Sequence, residues 1–253
     1  MREETVKTNY GNMKLLISDN FKDKKTIILL HGWGMNKETF LKICNRLKGF
    51  NCIICDFLGF GSSDDPIKPL TINDYVETVK MIIDKYPTKK YLYLLGHSFG
   101  GRVAIAYASK YEVRKVFLVN AKAFKNRKIK HKVKILKYKL VKNFLRIFNK
   151  QKYENYIKDK GSSDYKGLTG VMKKTFVNIV NYDLKKCLKK IKCDVVVIGS
   201  IKDNVVLYDE TLKIQKILKS SKLYPFYNSG HFSYIDEENK LVNIINREVK
   251  GDR

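Results

Sequence analysis

The hydrophobic positions along the chain follow two periods. Short apolar runs at Thr26–Leu30, Asn51–Cys55, Tyr91–Leu95, Lys115–Val119 and Val195–Ile198 have the length and continuity of buried strands. Between them, apolar residues recur at helical spacing. Lys37–Leu47 puts Phe40, Ile43, Cys44 and Leu47 on one face, and Thr71–Tyr86 does the same with Tyr75, Val79, Ile82 and Ile83. Leu223–Phe226 reads as the last strand, with helices at about 207–219 and 235–249 before and after it. Residues 4–8 and 13–17 flank Tyr10-Gly11-Asn12 and read as an opening hairpin. Strands alternating with helices predict an α/β domain over 1–253, with a mostly parallel eight-stranded sheet and helices on both faces.

One interval is too long for this scheme. About 70 residues separate the strand ending near Asn120 from the strand starting near Val195, whereas a parallel crossover needs only about a dozen. The excess predicts a helical cap inserted at 121–190. Its first part keeps Ile129, Val133, Leu136, Leu140, Phe144 and Phe148 on one face, with basic residues around the rest.

Charge changes the picture at this same interval. The chain has 51 Lys and Arg against 25 Asp and Glu, a formal charge of +26. Much of the surplus is Lys in a chain also rich in Ile and Asn, the signature of an AT-rich genome, so nucleic acid is not the expected partner. From Val113 to Tyr153, however, there is no acidic residue at all. Lys122–Lys152 is therefore a candidate docking surface for an acidic acyl carrier protein or an anionic lipid surface.

No apolar run is long enough to span a bilayer, and the first residues lack an apolar signal core, so a cytoplasmic protein is expected. Of the five cysteines, Cys52 and Cys55 form a CxxC inside a strand. Residues three apart on a strand face opposite sides, which argues against a shared metal or disulfide. Reduced core thiols are expected, with no metal or cofactor.

The candidate chemistry begins at Gly96-His97-Ser98-Phe99-Gly100, between a strand and an Ala-rich helix. Ser98 has two readings: an ordinary helix N-cap, or a nucleophile on a strained turn whose flanks admit only glycine. A nucleophile needs a base, and there are four histidines. His31 precedes a Gly-Trp-Gly turn, His97 adjoins Ser98, and His131 lies in the basic interval. His231 follows the last strand, at the sheet edge where Ser98 is expected. Asp203, after the preceding strand, is placed to orient His231. A tetrahedral intermediate also needs two donors for its oxyanion. Phe99 N–H, at a helix start, and Trp33 N–H, in the loop after the first parallel strand, are the candidates.

These motifs carry a resemblance. LLHGWG, Asp56 followed by GFGSSD, GHSFGG, an acid after the penultimate strand and a late GHF together resemble the α/β-hydrolase superfamily over nearly the whole chain. Within it, HGWG with GHSFGG is similar to carboxylesterases and to the methyl esterase of pimeloyl carrier protein. The resemblance implies Ser98 as nucleophile, His231 as base, Asp203 as acid, and Trp33 and Phe99 as oxyanion donors. It implies hydrolysis of an ester or thioester of a small to medium acyl group through an acyl-enzyme, without a cofactor. The acid's loop departs from the family pattern, with Gly199-Ser200-Ile201-Lys202-Asp203 and with Leu207 where relatives often have Pro. Two other readings are a ligand-binding protein on the same fold and a lipase-like enzyme that docks on membranes through its basic cap.

Overall fold

The computed structural model describes residues 1–19, 25–86, 91–125, 168, 170–218 and 220–251. Most of the expected cap, including His131, Asp164, Tyr165 and the apolar stripe from Ile129 to Phe148, lies outside the described residues.

Eight strands form one sheet: β1 (Arg2–Thr8), β2 (Gly11–Ile17), β3 (Lys25–Leu30), β4 (Phe50–Cys55), β5 (Tyr91–His97), β6 (Lys115–Val119), β7 (Asp194–Ser200) and β8 (Lys222–Phe226). Their order is β1-β2-β4-β3-β5-β6-β7-β8. The β1–β2 hairpin pairs antiparallel, β2 meets β4 antiparallel, and every later pairing is parallel.

The central strands are apolar at successive positions because the sheet is covered on both faces. Ile28, Leu30, Leu94, Val116, Leu118 and Val197 pack on one side, with α2 (Ile72–Lys85) and α3 (Phe99–Ala108). Ile27, Leu29, Tyr93, Leu95, Phe117 and Val196 pack on the other, with α1 (Leu41–Arg46) and the C-terminal helix Glu238–Glu248. Cys52 lies in the second layer and Cys55 in the first. Strand alternation thus separates the two thiols, and both are free. Thr71 starts α2 through a capping box with Asp74.

Two expected helices are divided. Lys37–Leu47 becomes a 3₁₀ turn, Lys37–Phe40, followed by α1. The Lys37 N–H is drawn onto Asp56 Oδ1 at 2.5 Å, which ties the first turn to the end of β4. Residues 235–249 likewise divide into Ser233–Asp236 and Glu238–Glu248. Within the interval from β6 to β7, the described helices are Gly170–Asn181 and Lys185–Leu188. Among the described residues, no helix is long and apolar enough to cross a membrane.

Candidate active site

All parallel strands run the same way, so β5, β6 and β7 deliver their following residues to one sheet edge. At that edge Ser98 takes φ 50° and ψ −106°. This is a left-handed conformation that costs an L-residue roughly 1–2 kcal/mol, and it persists only where the surroundings impose it. Here Ser98 N–H donates to Val119 O at 3.0 Å and Gly100 N–H to His31 O at 3.0 Å. The flanking glycines have a steric cause. A Cβ on Gly96 would lie 2.4 Å from Gly100 O, and one on Gly100 would lie 2.0 Å from Leu30 O. Ser98 occupies the N-cap position of α3, but its side chain makes no capping bond.

Asp203 and His231 come together from turns 28 residues apart. Asp203 Oδ1 accepts the N–H groups of Val205 and Val206, each at 2.8 Å. Its Oδ2 accepts His231 Nδ1–H at 2.7 Å. In the neutral imidazole this bond fixes the proton on Nδ1 and leaves Nε2 as the acceptor. The departures at Ile201, Lys202 and Leu207 leave this acid turn intact, because its bonds come from backbone N–H groups. The His231 ring lies 4.8 Å from the ring of His97, the residue before Ser98. The Ser98 hydroxyl makes no hydrogen bond among the described residues. In ligand-free sites such bonds are often long and tighten around substrate.

The oxyanion candidates border the same turn. A Cβ on Gly32 would lie 2.7 Å from His97 Nδ1 and 3.6 Å from Ser98 Cβ, so the loop after β3 runs against the serine. Trp33 N–H and Phe99 N–H donate to no backbone carbonyl among the described residues, and Phe99 opens α3, where the first N–H groups have no helical acceptor. The Trp33 ring packs edge-on against Phe60, Phe99 and Phe176 at 4.8, 5.4 and 5.0 Å, an apolar wall beside Ser98.

Three further residues hold the site. Asn120, directly after β6, has φ 46°. Its Nδ2 lies 2.8 Å from His231 O, 3.2 Å from Gly230 O, 3.1 Å from Ser200 Oγ and 3.2 Å from Ser233 Oγ. Its Oδ1 accepts Ser200 N–H at 2.9 Å. His97 Nε2 lies 2.9 Å from the same His231 carbonyl. Burial, then the nearby His231, pushes the His97 pKa down to about 3, so the neutral ring donates from Nε2. The backbone of His231 is therefore pinned from both β5 and β6. Arg102 on α3 donates to Lys122 O, Ile179 O and Tyr182 O, joining both ends of the β6–β7 interval to the helix that follows Ser98. Sequence pattern does not single out Asn120 or Arg102 for these roles.

His31 and Asp56 organise the neighbouring loops. His31 Nδ1–H donates to Gly32 O at 2.7 Å, and Nε2 accepts Phe57 N–H at 3.0 Å. Burial lowers its pKa to about 4. Asp56 forms a buried ion pair with Lys37 Nζ at 3.1 Å and accepts Ser62 N–H at 2.8 Å.

Known proteins share this arrangement of strands and turns. The family model described as the alpha/beta hydrolase fold matches residues 25–166, which hold β3 to β6 and Ser98. The AB hydrolase superfamily protein YisY of Bacillus subtilis is 26% identical over 243 residues, 87% of this chain and 90% of that protein. Lipase 3 of Moraxella sp. is 35% identical over 104 residues, 39% of this chain and 32% of that protein. Among solved structures, an esterase from Exiguobacterium antarcticum superposes with a TM-score of 0.71 at 25% identity, covering 94% of this chain and 96% of that one. With its family motifs on one sheet edge and more than half its length matched, the chain belongs to the α/β-hydrolase fold family.

Proposed function

We propose that this hydrolase-family chain is a serine esterase acting on carboxylic esters or thioesters of small to medium acyl groups. Ser98 Oγ attacks the acyl carbonyl while His231 Nε2 takes its proton. Asp203 holds the imidazole in the required tautomer and stabilises the imidazolium. The N–H groups of Trp33 and Phe99 receive the oxyanion. Collapse expels the alcohol or thiol, which leaves with the proton from His231, and Ser98 keeps the acyl group. Water, deprotonated by His231, then releases the acid and restores Ser98.

The observation that carries this reading is the Asp203–His231 hydrogen bond of 2.7 Å, on an imidazole 4.8 Å from the ring of His97, the residue before a serine held at φ 50°. The esterase and lipase named among the similar proteins support the ester class. Within the interval 121–190, expected to hold the cap, the described part supports a cover near this edge. Its described helix Gly170–Asn181 brings Phe176 to Trp33 and Met172 to Gly59, where a Cβ would lie 2.3 Å from Sδ.

Labelling with a fluorophosphonate, followed by a panel of 4-nitrophenyl esters of increasing acyl length, tests the proposal. Wild type should label covalently and prefer one range of acyl length. Ser98→Ala should lose the label and several powers of ten in turnover while folding normally. Retention of most labelling or turnover in Ser98→Ala would refute the assignment.

A further inference from the structure

A second concave feature lies beyond the Ser98 turn. The segment after β6, the helix Lys185–Leu188 and the helix Tyr208–Ile217 border an open cleft of about 1120 Å³. Small-molecule sites commonly span roughly 300–1,000 Å³, so the space suits a sizeable ligand. Six lysines line it: Lys122, Lys125, Lys185, Lys189, Lys213 and Lys216. Among the described residues, two carboxylates, Asp183 and Glu210, share the lining. Glu210 lies 4.0 Å from Lys213, and Asp183 accepts the Lys185 N–H at 3.0 Å. The ammonium groups of Lys122, Lys125, Lys185, Lys189 and Lys216 form no ion pair among the described residues.

The chain's overall Lys surplus does not explain this by itself. Elsewhere, several lysines that share a cluster are matched with carboxylates, as Lys37 is with Asp56 and Lys222 with Glu248. Here all three walls contribute lysines to the lining of one concavity, and the field of like charges there favours an anion. The same cleft has an apolar strip. Val205 and Leu207 are more than half exposed, and Phe124 and Ile217 continue the lining. Val205 also donates its N–H to Asp203, so the strip begins on the turn that holds His231.

We propose that this cleft binds an anionic amphiphile, with its phosphate or carboxylate head among the lysines and its aliphatic chain along Val205 and Leu207. The concave shape and single aromatic residue favour a small amphiphile over nucleic acid or a flat protein surface. Resting on the esterase reading, the amphiphile is a substrate whose chain runs along Val205, on the turn that carries Asp203.

Calorimetry on the Ser98→Ala protein separates binding from turnover. The probes are decyl phosphate below its micellar concentration, neutral decyl maltoside and inorganic phosphate. Decyl phosphate should bind one to one, at least tenfold more tightly than either other probe, and more weakly as salt rises. The combined Lys122→Glu, Lys185→Glu and Lys216→Glu reversal should weaken it at least tenfold. In a Ser98 background, the same reversal should leave 4-nitrophenyl acetate hydrolysis within twofold of wild type. If the reversal does not fold, the three Lys→Gln changes provide the comparison without added repulsion. Equal binding of the neutral probe, or undiminished binding by the charge variant, overturns the proposal. Tight decyl phosphate binding in a chain that hydrolyses no ester would keep the anion site and sink the esterase reading. Ester hydrolysis without selective binding would sink the site alone.

Discussion

Asn120→Ala tests whether the base is held by its backbone. The amide has two hydrogens, so of the four acceptors around Nδ2 it serves two at a time. Its oxygen accepts the Ser200 N–H. Alanine removes these bonds and leaves a buried N–H without its acceptor, which costs about 1–3 kcal/mol. The lost donor bonds add about 1 kcal/mol each. Residue 120 also sits at φ 46°, where a β-carbon without a compensating polar side chain adds about 1 kcal/mol. Together these predict a loss of about 4–6 kcal/mol, large against the 5–15 kcal/mol typical of a folded domain. Asn120→Gly loses the same bonds without the left-handed strain, so it should be about 1 kcal/mol more stable than Asn120→Ala. Either change removes one of the two donors on His231 O, with His97 remaining. Turnover should fall by about tenfold or more through lost orientation, with KM changed much less. Urea unfolding followed by Trp33 fluorescence, together with kcat and KM on a short 4-nitrophenyl ester, supplies the test. An alanine variant within 1 kcal/mol of wild type at unchanged kcat would refute the reasoning. A glycine variant no more stable than alanine would show that strain plays no part.

Other consequences follow from the same geometry. Asp203→Asn presents an amide to His231 Nδ1 and favours the wrong tautomer, so kcat should fall on the order of 10³-fold or more; a loss under tenfold in a folded variant would point to another acid. Gly100→Ala drives a methyl to within 2.0 Å of Leu30 O and should yield little soluble protein, and a well-folded, active variant would contradict the steric account of the turn. Stability should also depend on pH through His31 and His97, whose pKa values burial lowers to about 4 and about 3. The unfolded chain takes up these protons near pH 6.5, whereas the folded chain does not. Their contribution is therefore complete above about 6.5 and falls with pH by about 1.4 kcal/mol per unit for each ring. That amounts to about 2 kcal/mol each by pH 5, before most carboxylates titrate. Urea midpoints measured from pH 7.5 to 5 check this, and a flat profile would show that neither ring is held neutral by burial.

The amino-acid sequence by itself determined the strand and helix order. β3, β5, β6 and β7 are legible because a strand buried on both faces must be apolar at nearly every position. The order Ser98, Asp203, His231 is legible too, since each follows a parallel strand and parallel strands deliver their ends to one edge. What tertiary structure decided was geometry between distant segments. Ser98 could equally have capped α3 on local propensity. Its φ of 50° goes with a backbone bond to Val119 O, in a turn whose flanking glycines leave room for Leu30 O and Gly100 O. Likewise, Lys37 interrupts an otherwise helical stretch because Asp56, 19 residues later, captures its N–H and ammonium. Asn120 and Arg102 belong to no periodic pattern, and their partners lie as far as 113 and 80 residues away. Hydrophobic periodicity records which face of an element is buried. A single polar side chain acquires its role only when folding brings specific carbonyls and N–H groups within about 3 Å, a condition set by the packed sheet rather than by neighbours in the chain.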